Sequence, residues 1–521
     1  MPLDINSRAA ADGSSVRNVQ FLPQAEVVKR KILIIGTYDP AITTIVDEEP
    51  VQIFSPEDAG AKTGYGFMIH RLAVQAFLGS NGIETYFQPQ SEAGGSAQSA
   101  GDIDFAGSTG VLVGTFKLYI AGITVSIAIT AGMTADQIAT ATVAAITADK
   151  LLPVTAVVNG VTTSQVDITS KSTGPWGDDI SIKVNIKTGD VTPTGVVYAI
   201  TDMTGGSGIP SMADALDGLG TGDDANEDFF TDVVHGYGQD TTTLDAISTY
   251  VGAGNESVGL YDKLVSRPFR VLTGDVAVDT AGLSALIALG DGRKYDRANG
   301  VIAVPGSANH PSEIAAQTIG IMAKINNNRA QENYKNQMLS DIDPGVKADR
   351  WTSDYDNRDL AVKAGVSPTK IKSGAVFLQN IVSFYHPDEV PITSNGYASM
   401  RNISITQNIL NNVRALMSGE RFDGISIVAD VTRVASTEDK LKAMSVETVK
   451  DLLVPLINSF ERKSWIYEAA FSLTKLAEAG AVEIRPGTDG FNINLSAIYS
   501  GEGLITDTVT EFDTSIAVLA G

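Results

Sequence analysis

Four histidines, His70, His235, His310 and His386, are the whole stock of imidazole in this chain, and cysteine is absent. Disulfides, thiol catalysis and cysteine-type zinc sites are therefore excluded. A serine-type hydrolase needs one of those imidazoles as a base beside its nucleophile. His70 falls inside a helical pattern and reads as a helix-face residue. His235 closes a strand beside Gly236 and Gly238, where an active-site loop would lie, yet no G-x-S-x-G elbow accompanies it. His310 and His386 precede Pro311 and Pro387, one at a helix start and one at a strand end, and turn chemistry accounts for both. No H-x-x-x-H pair is present to ligate a metal.

Other chemistries fare no better. A P-loop requires Gly-Lys, a dipeptide this sequence lacks. The first core strand ends in Gly36-Thr-Tyr-Asp-Pro rather than G-x-G-x-x-G, and Pro40 obstructs a glycine-rich approach to a helix start. Asp223, Asp224, Glu227 and Asp228 have the oxygens for a hard cation but not the D-x-D-x-D-G spacing, so a solvated acidic loop is expected. Asp47, Glu48 and Glu49 read as a charged turn before Pro50, and Trp176, between Pro175 and Gly177, as a packing anchor. No cofactor or metal is expected, and no enzymatic role.

Apolar runs and turn signals define the elements. KILIIGT, the helix around Met68, Leu72 and Ala76, and IETYFQP make a β-α-β unit. The same alternation resumes after residue 207 and continues through HPSEIAAQTIGIMAKINN, which argues an α/β core of residues 30–91 plus 207–350. Residues 92–206 differ in character. Two alternating strands meet at Ala121-Gly122, Thr134 and Gln137 make a capping box for one helix, and further strands follow, so a β-rich inserted domain is expected, entering and leaving the core near Phe87 and Thr204. Residues 351–521 read as an α+β domain with two long helices, a strand in GISIVADVTRV, and a break or kink at Pro455.

The ends of the sequence are unlike the middle. Residues 1–29 are polar and extended, with Val16, Val19 and Phe21 as apolar points, and residues 504–520 form a strand carrying Ile505, Val509, Phe512, Ile516 and Val518. A strand without a sheet must find one in its own chain or a neighbour's. With 521 residues, several domains are expected. Only 19% of residues are charged, which suits a surface that meets other subunits. The net charge of −23 disfavours nucleic acid and anionic membranes as partners. There is no apolar leader and no run near membrane-spanning length, so a soluble product is expected.

Taken in order, these segments resemble the contractile tail sheath proteins of myophages, in the phage Mu-like version. The resemblance is carried by ILIIGTYD with EEPVQIFSPEDAGAKTGYGFMIHRLAVQAF, by TADQIATATVAAITA with LPVTA, by KSTGPWGDDISIKVN, and by GFNINLSAIYSGEGLITDTVTEFDTSIAV. It implies a subtilisin-like α/β core without protease residues, an outward-facing inserted domain, and a C-terminal domain that touches an inner tube. It also implies a homo-oligomer of stacked hexameric rings linked by strand exchange through the two arms. Its partners would be the tail tube, baseplate and tail terminator proteins, within a virion assembled in the host cytoplasm. Charged contacts between rings would fall to Arg401, Arg414, Arg421, Lys440 and Lys442. The readings left beside it are an α/β hydrolase of subtilisin-like topology and another assembling virion, baseplate or secretion-sheath component.

Overall fold

Ile32 to Ile35 are four consecutive aliphatic residues with no solvent exposure, the signature of a strand covered on both faces. They lie in β1 (Lys31–Thr37), followed by β2 (Val51–Ile53), α1 (Pro56–Thr63), α2 (Met68–Ser80) and β3 (Glu84–Gln90). β3 is parallel to β1, and β2 pairs antiparallel on its far side. The structure is a computed structural model and describes residues 24–219, 230–252, 269–387, 398–419, 422–485 and 490–501.

The insertion comprises β4 (Gln98–Asp104), β5 (Gly114–Ile120), β6 (Ile123–Ile129), α3 (Ala135–Ala148), β7 (Val154–Val158), β8 (Gln165–Thr173), β9 (Ile182–Val184) and β10 (Ala199–Thr204). These strands form two sheets of their own, β10-β4-β8-β7 and β6-β5-β9. Ala121 and Gly122 turn the β5–β6 hairpin with φ of 48° and 77°, the doubly positive geometry of a tight two-residue loop. The Thr134–Gln137 capping box opens α3 as expected. Entry and exit meet where Ala97 bridges Ser207 and where the Gln90 side chain donates to the Ser211 carbonyl.

The chain then runs through α4 (Met212–Gly218), β11 (Asp232–His235), α5 (Thr241–Val251), β12 (Arg270–Asp275), α6 (Asp279–Gly292), β13 (Asn299–Ala303), α7 (Pro311–Asn326), β14 (Met338–Leu339), α8 (Tyr355–Lys363), β15 (Val366–Lys372), β16 (Ala375–Leu378) and α9 (Met400–Met417). One nine-stranded sheet results, in the order β14-β16-β15-β13-β12-β11-β1-β3-β2. The expected domain boundary at 350 is not a break in this sheet, because β15 joins it parallel to β13 and β16 pairs back antiparallel. α2 and α7 pack closely through glycines: a Cβ on Gly79 would lie 2.3 Å from the Gln317 carbonyl oxygen, and one on Gly320 2.4 Å from that of Ala76.

The chain divides into two units, one of residues 27–410 and one in which 411–500 join 24–26. The smaller unit holds β17 (Ser426–Ile427), α10 (Thr437–Leu441), β18 (Ala443–Met444), α11 (Val446–Arg462), α12 (Ala469–Ala477), β19 (Val482–Ile484) and β20 (Phe491–Ile493). The strand expected in GISIVADVTRV shrinks to two residues, since Asp430 caps a short 3-10 turn at Val431–Arg433. Pro455 does not break α11. Leu452, Leu453, Leu456 and Ile457 are buried on either side of it, and their packing offsets the roughly 3 kcal/mol penalty of an internal proline. Trp465 stacks on Phe460 at 5.6 Å and closes this core.

Candidate assembly surface

The parallel sheet has a switch point between β1, whose connection leads to β3, and β11, whose connection leads to β12. In open α/β sheets the ligand crevice lies outside the carboxyl ends of such strands. Here those ends carry Gly36 and Gly236, and the space above them is filled by Met68, the first residue of α2. A Cβ on Gly36 would lie 2.9 Å from Met68 Sδ, and one on Gly236 2.2 Å from it. Met68 is buried. The crevice is thus occupied by the chain itself.

The histidines fit that picture. His235 is fully buried, its Nδ1 accepting from the Tyr237 N–H at 3.2 Å. His310 caps α7, its Nδ1 accepting from Ser312 N–H and its Nε2 2.8 Å from the Trp176 carbonyl, with the Trp176 ring 4.6 Å away. Trp176 is therefore a buried anchor that holds the insertion over the start of α7. Ser181 Oγ and Lys183 Nζ add bonds to the carbonyls of Ala308 and Gly306. His70 lies on α2 as expected but faces inward, Nδ1 accepting from Gly66 N–H. Burial holds His70, His235 and His310 down at about 4, so all three are neutral at pH 7. His386 pairs with Asp291 at 3.1 Å.

Asp47 and Glu48 lie in a turn, with Glu48 at φ 66°. Asp223, Asp224, Glu227 and Asp228 fall outside the described residues. Among the described residues no cluster of three His, Asp or Glu is placed to hold a metal ion, and no helix is long and apolar enough to cross a membrane.

Of the cations assigned to ring contacts, Arg401 is a correction. It is buried, with Nε donating to the Gln331 carbonyl, because the polar face of α9 in the larger unit is turned into the protein rather than to solvent. Arg414 is half-buried, and Lys440 and Lys442 are exposed, Lys442 donating to the Asp423 carbonyl at 2.9 Å. Arg421 lies outside the described residues, as do Val16, Val19, Phe21, Ile505, Val509, Phe512, Ile516 and Val518.

The smaller unit also carries an exposed-edge candidate for assembly, a short ribbon with a groove beside it. β19 and β20 form a two-stranded antiparallel ribbon, Val482 opposite Ile493 and Ile484 opposite Phe491. Among the described residues no third strand joins this ribbon. Beside β20 runs an apolar groove of about 390 Å³ lined by Met417, Phe422, Ile425, Ile427, Phe491 and Ile493. Phe491 and Ile493, two apart in GFNINL, put their side chains on the groove side of β20. The residue pattern places Met68 with Leu72 and Ala76 on the apolar face of a helix, but its role as a plug appears only when two strand-end glycines are brought beneath it.

Over 191 residues the chain is 32% identical to the Mu-like prophage FluMu tail sheath protein of Haemophilus influenzae, a match covering 36% of this chain and 38% of that protein. The chain is a relative of a Mu-like tail sheath protein. The aligned part is thus well under two thirds of the relative's length. No family model matches the chain. The sheath tail protein of Desulfitobacterium hafniense has a TM-score of 0.44 at 13% identity, covering 94% of this chain and 98% of that one. That of Listeria innocua has 0.45 at 11%, covering 92% and 94%. The contracted PVC sheath of an extracellular contractile injection system has 0.48 at 8%, covering 98% and 99%.

Proposed function

We propose that this chain is the structural subunit of a contractile phage tail sheath, carried above all by the 191-residue match to the FluMu tail sheath protein. Subunits stack as hexameric rings around a tail tube, between baseplate and terminator, and contraction drives the tube through the host envelope ahead of genome ejection. The nine-stranded unit is the subtilisin-like core of that family. Its filled crevice supports a body that carries force rather than one that turns over substrate. The insertion faces outward and the C-terminal unit faces the tube.

Rings are joined by strand exchange onto the β19–β20 ribbon of a neighbour. The arm at residues 11–22 spans about 40 Å when extended at roughly 3.3 Å per residue, enough to reach an adjacent subunit. Val16, Val19 and Phe21 from one arm and Ile505, Val509, Phe512, Ile516 and Val518 from the other supply the apolar contacts, and the groove beside β20 is a seat of matching chemistry. Each backbone hydrogen bond gained contributes about 1 kcal/mol, so a link of roughly six bonds persists while subunits rotate. Arg414, Arg421, Lys440 and Lys442 remain the candidates for ring-to-ring charge contacts. Deleting residues 507–521 tests the exchange: the truncated chain folds and stays dispersed, whereas tubes as long as those of the full chain would refute it.

A further inference from the structure

The residues leading into β1 are held by side chains instead of a sheet. Val28 N–H donates to Asn408 Oδ1 at 2.8 Å, and Arg30 N–H to Asn327 Oδ1 at 3.1 Å. The Arg30 guanidinium donates from Nη1 to Gln407 Oε1 and from Nη2 to Ser404 Oγ. Val28 and Arg30 are two apart on an extended segment, and Asn408 and Ser404 are four apart on α9. Arg30, Ser404, Gln407 and Asn408 are all buried, and burial, with Arg270 close by, pulls the Arg30 guanidinium down to about 10, a loss that Asp232, itself paired with Arg270, offsets only in part. A polar face of α9 that would otherwise be costly to bury is thereby satisfied.

We propose that this pairing of Val28 and Arg30 with Asn408, Gln407 and Ser404 is an anchor that takes tension arriving along the N-terminal segment before it reaches the sheet. The source of that tension rests on the sheath reading; the anchor itself does not. Directly behind it, β1 is held on both sides, by β3 and β11. A pull on residue 27 is therefore shared between the α9 side chains and two strand pairings loaded in shear. Without the anchor, β1 takes the pull alone.

The absence of native cysteine makes the test direct, because two introduced thiols are the only attachment points. The full chain is pulled in single-molecule tweezers between Val27→Cys and Lys372→Cys, and separately between Val161→Cys and Lys372→Cys. Asn408→Ala and Arg30→Gln are expected to lower the first rupture force in the 27–372 direction only. Asn408→Ala removes one acceptor and decides the matter where Arg30→Gln does not fold. Rupture forces equal to the parent's in the 27–372 direction would overturn the anchor. An equal drop in both directions would overturn it too, since it would report general weakening. Tube formation is scored separately by electron microscopy, so a failed sheath reading is distinguishable from a failed anchor.

Discussion

Replacing Gly236 by alanine tests whether the crevice at the head of the parallel sheet is filled. The new Cβ would lie 2.2 Å from Met68 Sδ and 2.5 Å from its Cγ, well inside contact distance. Met68 is only 1% exposed, so its flexible end has nowhere to retreat, and overpacking of this kind costs about 1–3 kcal/mol. Met68→Ala alone removes the plug and costs about 2–5 kcal/mol through lost contacts and a cavity. In the double variant the added methyl enters the vacated space, so the two losses should fall short of additive by about 1–2 kcal/mol. Urea unfolding of all four proteins, followed by emission of the larger unit's Trp176 and Trp351, measures the cycle. A neutral Gly236→Ala, or strict additivity, would mean that the crevice is open, and the argument against a ligand site there would fail.

Other consequences follow from the same contacts. Arg71 meets Glu313 through two bonds of 2.8 Å, both side chains buried, so Glu313→Gln strands the guanidinium and should lower stability by about 3–5 kcal/mol in a denaturant titration. His70, His235 and His310 titrate at about 4 in the folded chain against an ordinary 6.5, so the unfolded state binds more protons between those values. Stability should fall as pH drops from about 6.5 towards 4, with a shallower slope for His310→Asn, whose carbonyl keeps the helix cap. Denaturant midpoints across that range would show it. Subunits of net charge −23 repel one another over a Debye length of about 30 Å at 0.01 M salt and about 8 Å at 0.15 M. Polymer yield by sedimentation should therefore rise with ionic strength, and a steep fall would show that the candidate ring-to-ring charge contacts outweigh this repulsion.

The strands of the parallel sheet were legible because burial on both faces makes them continuous aliphatic runs, Ile32 to Ile35 being the plainest. The β5–β6 hairpin and the α3 cap were equally legible, since alternation and capping residues act locally. The extent of the sheet beyond 350 was not. β15 carries Pro368 and pairs with β13 across more than sixty positions, a relation that local pattern does not encode. Arg401 misled for a similar reason. α9 is amphipathic, but its polar residues Ser404, Gln407 and Asn408 are buried against the extended segment before β1, so polarity there marks an interior contact instead of a wet face. The chemistry of Pro455 alone predicts a kink or a break, whereas the buried leucines around it keep α11 continuous through it.

Negative-stain electron microscopy of the purified, untagged full-length chain at rising concentration tests the sheath reading most directly. Long hollow cylinders with a helical surface lattice are the predicted result. Dispersed monomers or small closed oligomers at every concentration, with the tail tube protein added as template, would contradict it.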